Sequence, residues 1–208
     1  MTSSYSYLTF TALAIAAYLI GSMPFGYWFV RMTAGHDIRT MGSGNIGATN
    51  VHRTMGRKAG IIVLLLDVAK AFLAVWIAGT ITRGDPVAVA LAIVAVMLGH
   101  CYPIFLKFKG GKAVACFVGA FLYATPAALL AIIGLFILVL ALSKYISLAS
   151  IVSAILFPIS AWLISNAPSP ILLASIFAAL LIVYRHKANI ARLRSGTEHV
   201  FSIKGKAA

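Results

Sequence analysis

Acidic side chains are the scarcest feature of this 208-residue sequence, which has four of them against 17 lysines and arginines. The four do not cluster along the chain: Asp37, Asp67, Asp85 and Glu198. Magnesium sites are normally built from carboxylates, so the sequence predicts no metal site and no cofactor. The sequence also lacks a Gly-x-Ser-x-Gly elbow, and no histidine is followed by an acid at the spacing of a His-Asp acyltransferase dyad.

Charged residues make up only 10% of the chain, whereas hydrophobic residues make up 62%. A soluble core of this size could not bury so much apolar surface, so a lipid bilayer is the solvent that fits. The net charge of +13 does not indicate nucleic acid, because the basic residues stand between long apolar runs. Membrane lipid and anionic substrates are the expected partners. The two cysteines, Cys101 and Cys116, have no metal-binding spacing and are interpreted as packing residues.

Seven apolar segments are candidates for bilayer crossings, each of which takes about 20 residues. They cover residues 5–30, 59–81, 87–106, 113–123, 126–142, 146–165 and 170–184. The fourth and fifth are separated only by Thr125 and Pro126, and a kink there would give one bent helix and six crossings. Seven crossings account better for the charges, because the basic connections and the tail then share one side, as cytoplasmic segments do.

The sequence therefore predicts an all-α, polytopic membrane protein with seven transmembrane helices and one domain over residues 1–208. The N-terminus is expected outside and the C-terminus in the cytoplasm. The first apolar stretch lacks a basic region before it and a cleavage site, so a retained helix is expected. The connection over residues 32–57 is long for a structureless loop, and such loops are usually functional.

A glycine-rich segment in this connection is the first candidate phosphate site. Residues 42–50 read GSGNIGATN, in which Ser43, Asn45, Thr49 and Asn50 supply short polar side chains. Successive backbone N–H groups in such a segment can form a nest for anionic oxygens. Arg53 follows as a fork for a phosphate. An ordinary Gly/Asn turn has the same composition, so the residues alone leave both interpretations open.

The second candidate is the KFKGGK segment at residues 107–112. A Gly-Gly pair before a helix is expected to expose the free N–H groups of its first turn, with Lys112 at the start. Lys107 and Lys109 are better explained as side chains that reach lipid headgroups.

Three further groups of polar residues lie near the predicted helix ends and inside the second helix. Ser143, Ser147 and Ser150 open the sixth apolar helix, and helix capping explains one of them and leaves the other two free to bind a ligand. His186 and Asn189 share a helix face, whereas Arg185 and Lys187 can point to lipid phosphates. Inside the second helix an i, i+3 ion pair is expected between Asp67 and Lys70, and His100 is interpreted as a core histidine.

In this order the motifs resemble those of the bacterial inner-membrane acyl-phosphate:glycerol-3-phosphate acyltransferases, over nearly the whole chain. The resemblance is carried by GSMPFG at 21–26, the 42–50 segment with Arg53, Asp67 with Lys70, GHCYP at 99–103, FKGGK at 108–112, SLAS at 147–150 and HKANI at 186–190. Two positions depart from the family pattern, since Ala113 replaces the usual glycine and Tyr102 the usual phenylalanine. Neither change removes a polar group.

The resemblance implies acyl transfer from acyl phosphate to the 1-hydroxyl of sn-glycerol 3-phosphate, which gives lysophosphatidic acid and phosphate, the first step of phospholipid biosynthesis. It implies a site on the cytoplasmic face of the bacterial inner membrane, and a monomer is expected. Position by position, the acyl phosphate would be bound by Ser43, Gly44, Asn45, Gly47, Thr49 and Asn50. Glycerol 3-phosphate would be bound by Arg53, Lys112, Ser147, Ser150, His186 and Asn189. Catalytic roles are expected for His186, Asn189 and Lys112.

Two alternatives stay open at this point. A membrane transporter of phosphate or organic phosphate anions would also carry basic nests, but it would be expected to place them at the midplane on broken helices within two related halves. The sequence shows no internal repeat. The general base is either His186 or a substrate phosphate, and the phosphate is favoured because its second ionisation lies near about pH 6.

Overall fold

The computed structural model describes residues 5–202, which form helices joined by short connections. In chain order the helices are α1 (Tyr7–Ser22), α2 (Phe25–Ala34), α3 (Ala48–Met55), α4 (Arg57–Ile81), α5 (Pro86–Cys101), α6 (Val114–Ala124), α7 (Pro126–Ser143), α8 (Ile146–Ser165), α9 (Ser169–Arg185) and α10 (Lys187–Arg194). Short 3-10 turns occupy Ile38–Thr40 and Ile104–Leu106. No strand occurs between residues 5 and 202, which confirms the all-α prediction.

Within the described residues, five stretches are long and apolar enough to cross a bilayer: Tyr7–Ala34, Arg57–Ile81, Pro86–Leu106, Pro126–Ser143 and Ile146–Ser165. Helices α9 and α10 are bent by 57° and make a sixth if they are taken as one span. Helix α6 has only 11 residues, so it rises about 17 Å against a hydrocarbon core of about 30 Å. The chain is thus a multi-pass membrane protein, and a seventh crossing depends on this short helix.

The first apolar segment, residues 5–30, was expected to form one continuous helix. The structure instead divides it into α1 and α2. The segment breaks at Met23 and Pro24, because proline has no N–H to continue the helical hydrogen bonds. The carbonyl of Met23 instead accepts a hydrogen bond of 2.7 Å from the Lys70 ammonium of α4. The break therefore gives a buried cation a partner.

Small residues allow the helices to approach closely, as is common in membrane bundles. A side chain at Gly21 of α1 would meet the Val96 carbonyl of α5 at 2.2 Å, and one at Gly119 of α6 would meet the Val68 carbonyl of α4 at 2.0 Å. Helix α6 is also fixed to α8 by three rings, Phe117, Phe121 and Phe157, whose centroids lie 4.5–4.9 Å apart. These contacts pack α6 against both α4 and α8.

The connection over residues 32–57 is ordered and not a structureless loop. It contains the 3-10 turn and α3, and a small apolar cluster fixes it to the ends of the neighbouring helices: Val30, Ile38, Ile46, Val51, Ala59, Val63 and Leu106. Helix α3 packs directly on α4, where a side chain at Gly60 would meet the His52 Cβ at 2.5 Å. The segment predicted to bind phosphate therefore has a rigid support.

Candidate active site

A cavity of about 1000 Å³ lies where α3, the start of α6, α8 and the end of α9 meet. Every predicted site residue except Gly44 lines it: Ser43, Asn45, Gly47, Thr49, Asn50, Arg53, Lys112, Ser147, Ser150, His186 and Asn189. Gly44 has a φ of +70° and forms part of the turn beside the cavity. The structure thus brings together residues that are up to about 150 positions apart in the sequence.

Much of the remaining cavity wall is apolar and comes from three helices. These residues are Ile61, Leu64, Leu65 and Val68 of α4, Val114, Phe117 and Val118 of α6, and Leu129, Ile132, Ile133, Phe136 and Leu140 of α7. The cavity therefore joins a cluster of cations and hydrogen-bond donors to a long hydrocarbon-lined trough.

Asn50 organises the 42–50 segment from within. Its side-chain oxygen accepts the Ser43 N–H at 2.8 Å, and its amide nitrogen donates to the carbonyls of Met41 at 3.0 Å and Asn45 at 2.9 Å. Asn45 in turn accepts the Gly47 N–H at 2.8 Å. Several backbone N–H groups expected to bind anions are thus used inside the segment, which corrects the simple nest predicted from composition.

The anion-binding groups that remain are those at the start of α3. The first N–H groups of a helix have no intrahelical partner, and the preceding residue, Gly47, has no side chain that could satisfy them. Gly47, Ala48 and Thr49 all line the cavity. The helix dipole adds positive potential at the same point, so this end of α3 suits a phosphate.

Arg53 lies one turn further along α3 and is half-buried in the cavity wall. Burial lowers the pKa of Arg53, and the nearby Glu198 carboxylate opposes this effect. A guanidinium remains charged at any physiological pH, so the group presents a permanent cation to the cavity.

Lys112 is part of a chain of polar contacts that ends in the tail. Its ammonium donates to the Asn189 side-chain oxygen, and the Asn189 amide donates to Glu198 at 2.9 Å. Arg192 forms an ion pair with the other oxygen of Glu198 at 2.8 Å. Burial lowers the pKa of Lys112 to about 8, and the like charge of Arg192 adds to the effect.

Glu198 is ionised within this network. Burial by itself would raise its pKa, but hydrogen bonds from Asn189 and Arg192 outweigh burial and the pKa is lowered. The carboxylate therefore fixes the Asn189 amide, so that the Asn189 oxygen faces Lys112.

His186 is buried at the bend between α9 and α10, and it faces the cavity together with Asn189, as their spacing predicted. Its Nδ1 lies 2.8 Å from the Ile182 carbonyl, which can only accept a hydrogen bond. Nδ1 therefore carries the proton, and Nε2 is the ring nitrogen left for a ligand.

Ser147, Ser150 and Ser153 stand at every third position of α8, and all three line the cavity. The Ser150 hydroxyl donates to the Ile146 carbonyl at 2.8 Å, whereas the buried hydroxyls of Ser147 and Ser153 have no hydrogen-bond partner within residues 5–202. Ser147 is close enough to Glu198 to help lower its pKa, but the geometry falls short of a hydrogen bond. Ser153 had not been predicted, although its i+3 spacing from Ser150 was a usable signal.

The N–H groups of Gly110 and Gly111 are themselves bonded, whereas the first turn of α6, to which the prediction referred, has no side-chain cap and lines the cavity at Ala113 and Val114. The Gly110 N–H donates to the Cys101 carbonyl at 3.1 Å and the Gly111 N–H to the His100 carbonyl at 3.0 Å. A side chain at Gly111 would lie 2.1 Å from the His100 ring. Glycine is needed here for close packing, and the pair presents Lys112 to the cavity.

The ion pair predicted inside the second apolar segment, which is α4 in the structure, is confirmed. Lys70 lies 2.8 Å from the Asp67 carboxylate, and both are buried. The Lys70 ammonium is also 3.2 Å from the His100 ring. Asp67, His100 and Cys116 have ligand atoms within 4.8 Å of one another, but the ammonium of Lys70 already occupies the position beside the carboxylate. This cluster fits a lysine better than a metal ion.

A profile described as glycerol-3-phosphate acyltransferase matches residues 11–196 of the chain. A glycerol-3-phosphate acyltransferase of Geotalea daltonii is 46% identical over 189 residues, which is 91% of this chain and 96% of the relative. One from a Synechococcus species is 44% identical over 195 residues, or 94% of this chain and 96% of the relative. The chain belongs to the glycerol-3-phosphate acyltransferase family.

Solved structures of the family share the fold. The crystal structure of PlsY (YgiH), an integral membrane glycerol 3-phosphate acyltransferase, in its glycerol 3-phosphate form superposes with a TM-score of 0.88 at 38% identity. The match covers 93% of this chain and 96% of that chain. The lysophosphatidic acid form gives a TM-score of 0.86 at 36% identity over the same shares.

Besides Ser153, three residues of this family member contribute to the site without having been predicted. Glu198 and Arg192 complete the Asn189 network, and Arg185 contacts the segment before Lys112. Glu198 is one of only four acids in the chain, and it follows closely after the basic residues of α10. That spacing was the signal that could have identified it.

Proposed function

We propose that this chain transfers an acyl group from acyl phosphate to the 1-hydroxyl of sn-glycerol 3-phosphate and releases lysophosphatidic acid and phosphate. The observation that carries the proposal is the amphipathic cavity, because one substrate is a phosphate on a hydrocarbon chain and the other is a small phosphate ester. Family membership supports the same reaction.

The acyl chain lies in the trough formed by α4, α6 and α7. Leu64, Val118 and Phe136 are representative of its walls, one from each helix. Burying each methylene of the chain contributes about 0.8 kcal/mol, so the trough holds the donor by its tail while the polar end of the cavity holds its phosphate.

The acyl-phosphate headgroup binds at the start of α3. The first-turn N–H groups and the side chains of Ser43, Asn45 and Thr49 contact its oxygens, Gly47 allows their close approach, and Gly44 and Asn50 keep the segment in shape. Arg53, Lys112, His186 and Asn189 bind glycerol 3-phosphate. Ser147 is the serine that contacts it, because the Ser150 hydroxyl is already bonded to its own helix.

In the reaction the 1-hydroxyl oxygen attacks the acyl carbon, and the bond from that carbon to the phosphate oxygen breaks. Phosphate is a good leaving group, so the site needs mainly to position the hydroxyl and stabilise the developing oxyanion. The hydroxyl proton passes to a substrate phosphate. Nε2 of His186 and the Asn189 side chain orient glycerol 3-phosphate.

The site faces the cytoplasm in a bacterial inner membrane crossed seven times, with the N-terminus outside and one chain sufficient for activity. Two contacts support a true turn at Thr125 and Pro126. Cys116 of α6 lies 3.6 Å from the Asp67 carbonyl, and the Lys144 carbonyl after α7 accepts the Phe201 N–H of the tail at 2.8 Å. The start of α6 and the end of α7 therefore lie on the side of the bundle that carries α3. The tail contacts α3 on the same side, at His52.

The test is release of inorganic phosphate by the purified protein supplied with palmitoyl phosphate and glycerol 3-phosphate. Phosphate and lysophosphatidic acid should appear in equal amounts, and neither should form when glycerol 3-phosphate is left out. A transporter would instead show counterflow of glycerol phosphate in liposomes without new product. That result would reject the acyltransferase proposal.

A further inference from the structure

Arg185, the last residue of α9, does not reach out to lipid phosphates as its sequence context suggested. Its Nε donates to the Gly111 carbonyl at 3.0 Å, and its Nη2 donates to the Gly110 carbonyl at 2.9 Å. The guanidinium also lies over the Tyr102 ring, 5.1 Å from the centroid. One half-buried side chain therefore contacts both residues that precede Lys112.

The other side of the glycine pair is fixed by α5. The two N–H groups donate to the carbonyls of Cys101 and His100. All four polar backbone groups of Gly110 and Gly111 are therefore paired, two with α5 and two with Arg185. Arg185 is the side chain that joins this segment to the end of α9.

We propose that Arg185 is a positioning residue, which fixes the Lys112 ammonium relative to His186 and Asn189. The inference rests on the proposed function, in which Lys112 binds glycerol 3-phosphate. Arg185 immediately precedes His186 and holds the two residues immediately before Lys112. The fork thus sets the distance between two groups that must contact the same substrate.

The chemistry of the contact requires arginine. A planar guanidinium can donate to two adjacent carbonyls at once, whereas an ammonium is a point charge without that geometry. Arg185 forms no ion pair with a carboxylate among the described residues 5–202. Its charge is stabilised by two carbonyl dipoles and an aromatic face, so holding the loop is its main interaction.

The test compares Arg185→Lys and Arg185→Gln with Lys187→Gln, which removes a cation two positions away that is exposed and stacked on Tyr184. In both Arg185 variants the KM for glycerol 3-phosphate should rise about 10- to 100-fold, because small misplacements of a binding group are costly. The KM for palmitoyl phosphate should stay within about twofold of wild type. Lys187→Gln should leave both values within about twofold.

If Arg185 only stabilises the fold, its variants should show a different change in kcat and KM. The substitutions would lower the fraction of active enzyme, so kcat would fall while both KM values stayed unchanged, and that result would overturn the proposal. Unfolding of both Arg185 variants would overturn it as well. Added guanidinium should partly restore the KM for glycerol 3-phosphate in Arg185→Ala, and methylammonium should not. Absence of acyl transfer by the wild-type protein would count against the proposed function and not against Arg185.

Discussion

The two glycine-rich segments of the cavity look alike in sequence but differ in how their backbone is used. The 42–50 segment leaves the N–H groups at the start of α3 facing the cavity, where no side chain caps them. The 107–112 segment has its glycine N–H groups bonded to Cys101 and His100. Both segments lead into a helix start that no side chain caps, but the Gly47 N–H has its partner within the 42–50 segment, whereas the glycine N–H groups of the second segment have theirs on α5.

Glycine can be required near basic residues for two different physical reasons, and composition alone does not distinguish them. At Gly111 the requirement is space, because any side chain would collide with the His100 ring. At Gly42 and Gly44 the requirement is a positive φ, which shapes the turn around Asn50. Substitutions can therefore distinguish a packing glycine from one that shapes an anion site.

The largest effect is expected for Gly111→Ala. The new methyl would lie 2.1 Å from His100 Nε2, so the backbone before Lys112 must move. Overpacking of this kind costs about 1–3 kcal/mol of stability, and a displaced lysine costs about 10²-fold in rate. We expect the melting temperature and kcat/KM to fall together, as measured by thermal unfolding and phosphate release.

Two alanine variants serve as the comparison for Gly111. Gly134→Ala adds a methyl in open space on α7 and should be neutral in both measurements. Gly47→Ala meets only the Asn45 oxygen at 3.2 Å, so it should keep the melting temperature and raise mainly the KM for the acyl phosphate. Equal behaviour of Gly47→Ala and Gly111→Ala would show that the two segments have the same role.

A smaller, pH-dependent effect is expected for Lys112. Its pKa is lowered to about 8, so the side chain is charged below pH 8 and becomes neutral as the pH rises through that value. Binding of an anionic substrate should therefore be strongest below pH 8, and kcat/KM for glycerol 3-phosphate should fall about tenfold for each further pH unit.

Lys112→Arg separates this explanation from a general loss of activity at high pH. An arginine stays charged, so the variant should lose the decline above pH 8 even if its activity is lower throughout. A decline that persists in Lys112→Arg would assign the titration to another group. The backbone site at the start of α3 carries no titrating group, so the KM for the acyl phosphate should not follow the same curve.

Much of the fold was predictable because apolar periodicity and length are local properties of the sequence. The helices over 57–81 and 146–165 appear almost where the pattern placed them. The break at Pro24 was missed although the proline itself was a local signal, whereas the ordering of α3 was not predicted because it depends on packing against α4.

The same distinction holds for the site. Its members were predictable as residue types in basic connections, and the cavity gathers nearly all of them. Their hydrogen-bond partners were not predictable, since Asn50 bonds within its own segment and Arg185 turns inward to Gly110. Partner choice depends on the packing of helices that are distant in sequence.

The smallest expected effect concerns proton transfer at the end of α9. Nδ1 of His186 is held by the Ile182 carbonyl, so only Nε2 could accept a proton from the attacking hydroxyl. Replacing a general base typically costs about 10²–10⁴ in rate, but losing an orienting group also reduces turnover, so a single rate does not separate the roles.

His186→Gln keeps a hydrogen-bonding side chain that cannot titrate. If a substrate phosphate is the base, this variant should show a modestly lower rate, about tenfold, with the acidic limb of the pH profile unchanged in position. Disappearance of that limb, with glycerol 3-phosphate binding intact, would identify His186 as the base. The outcome also sharpens the comparison of the two segments, because a base supplied by the substrate depends on how the start of α3 and Lys112 hold the phosphates.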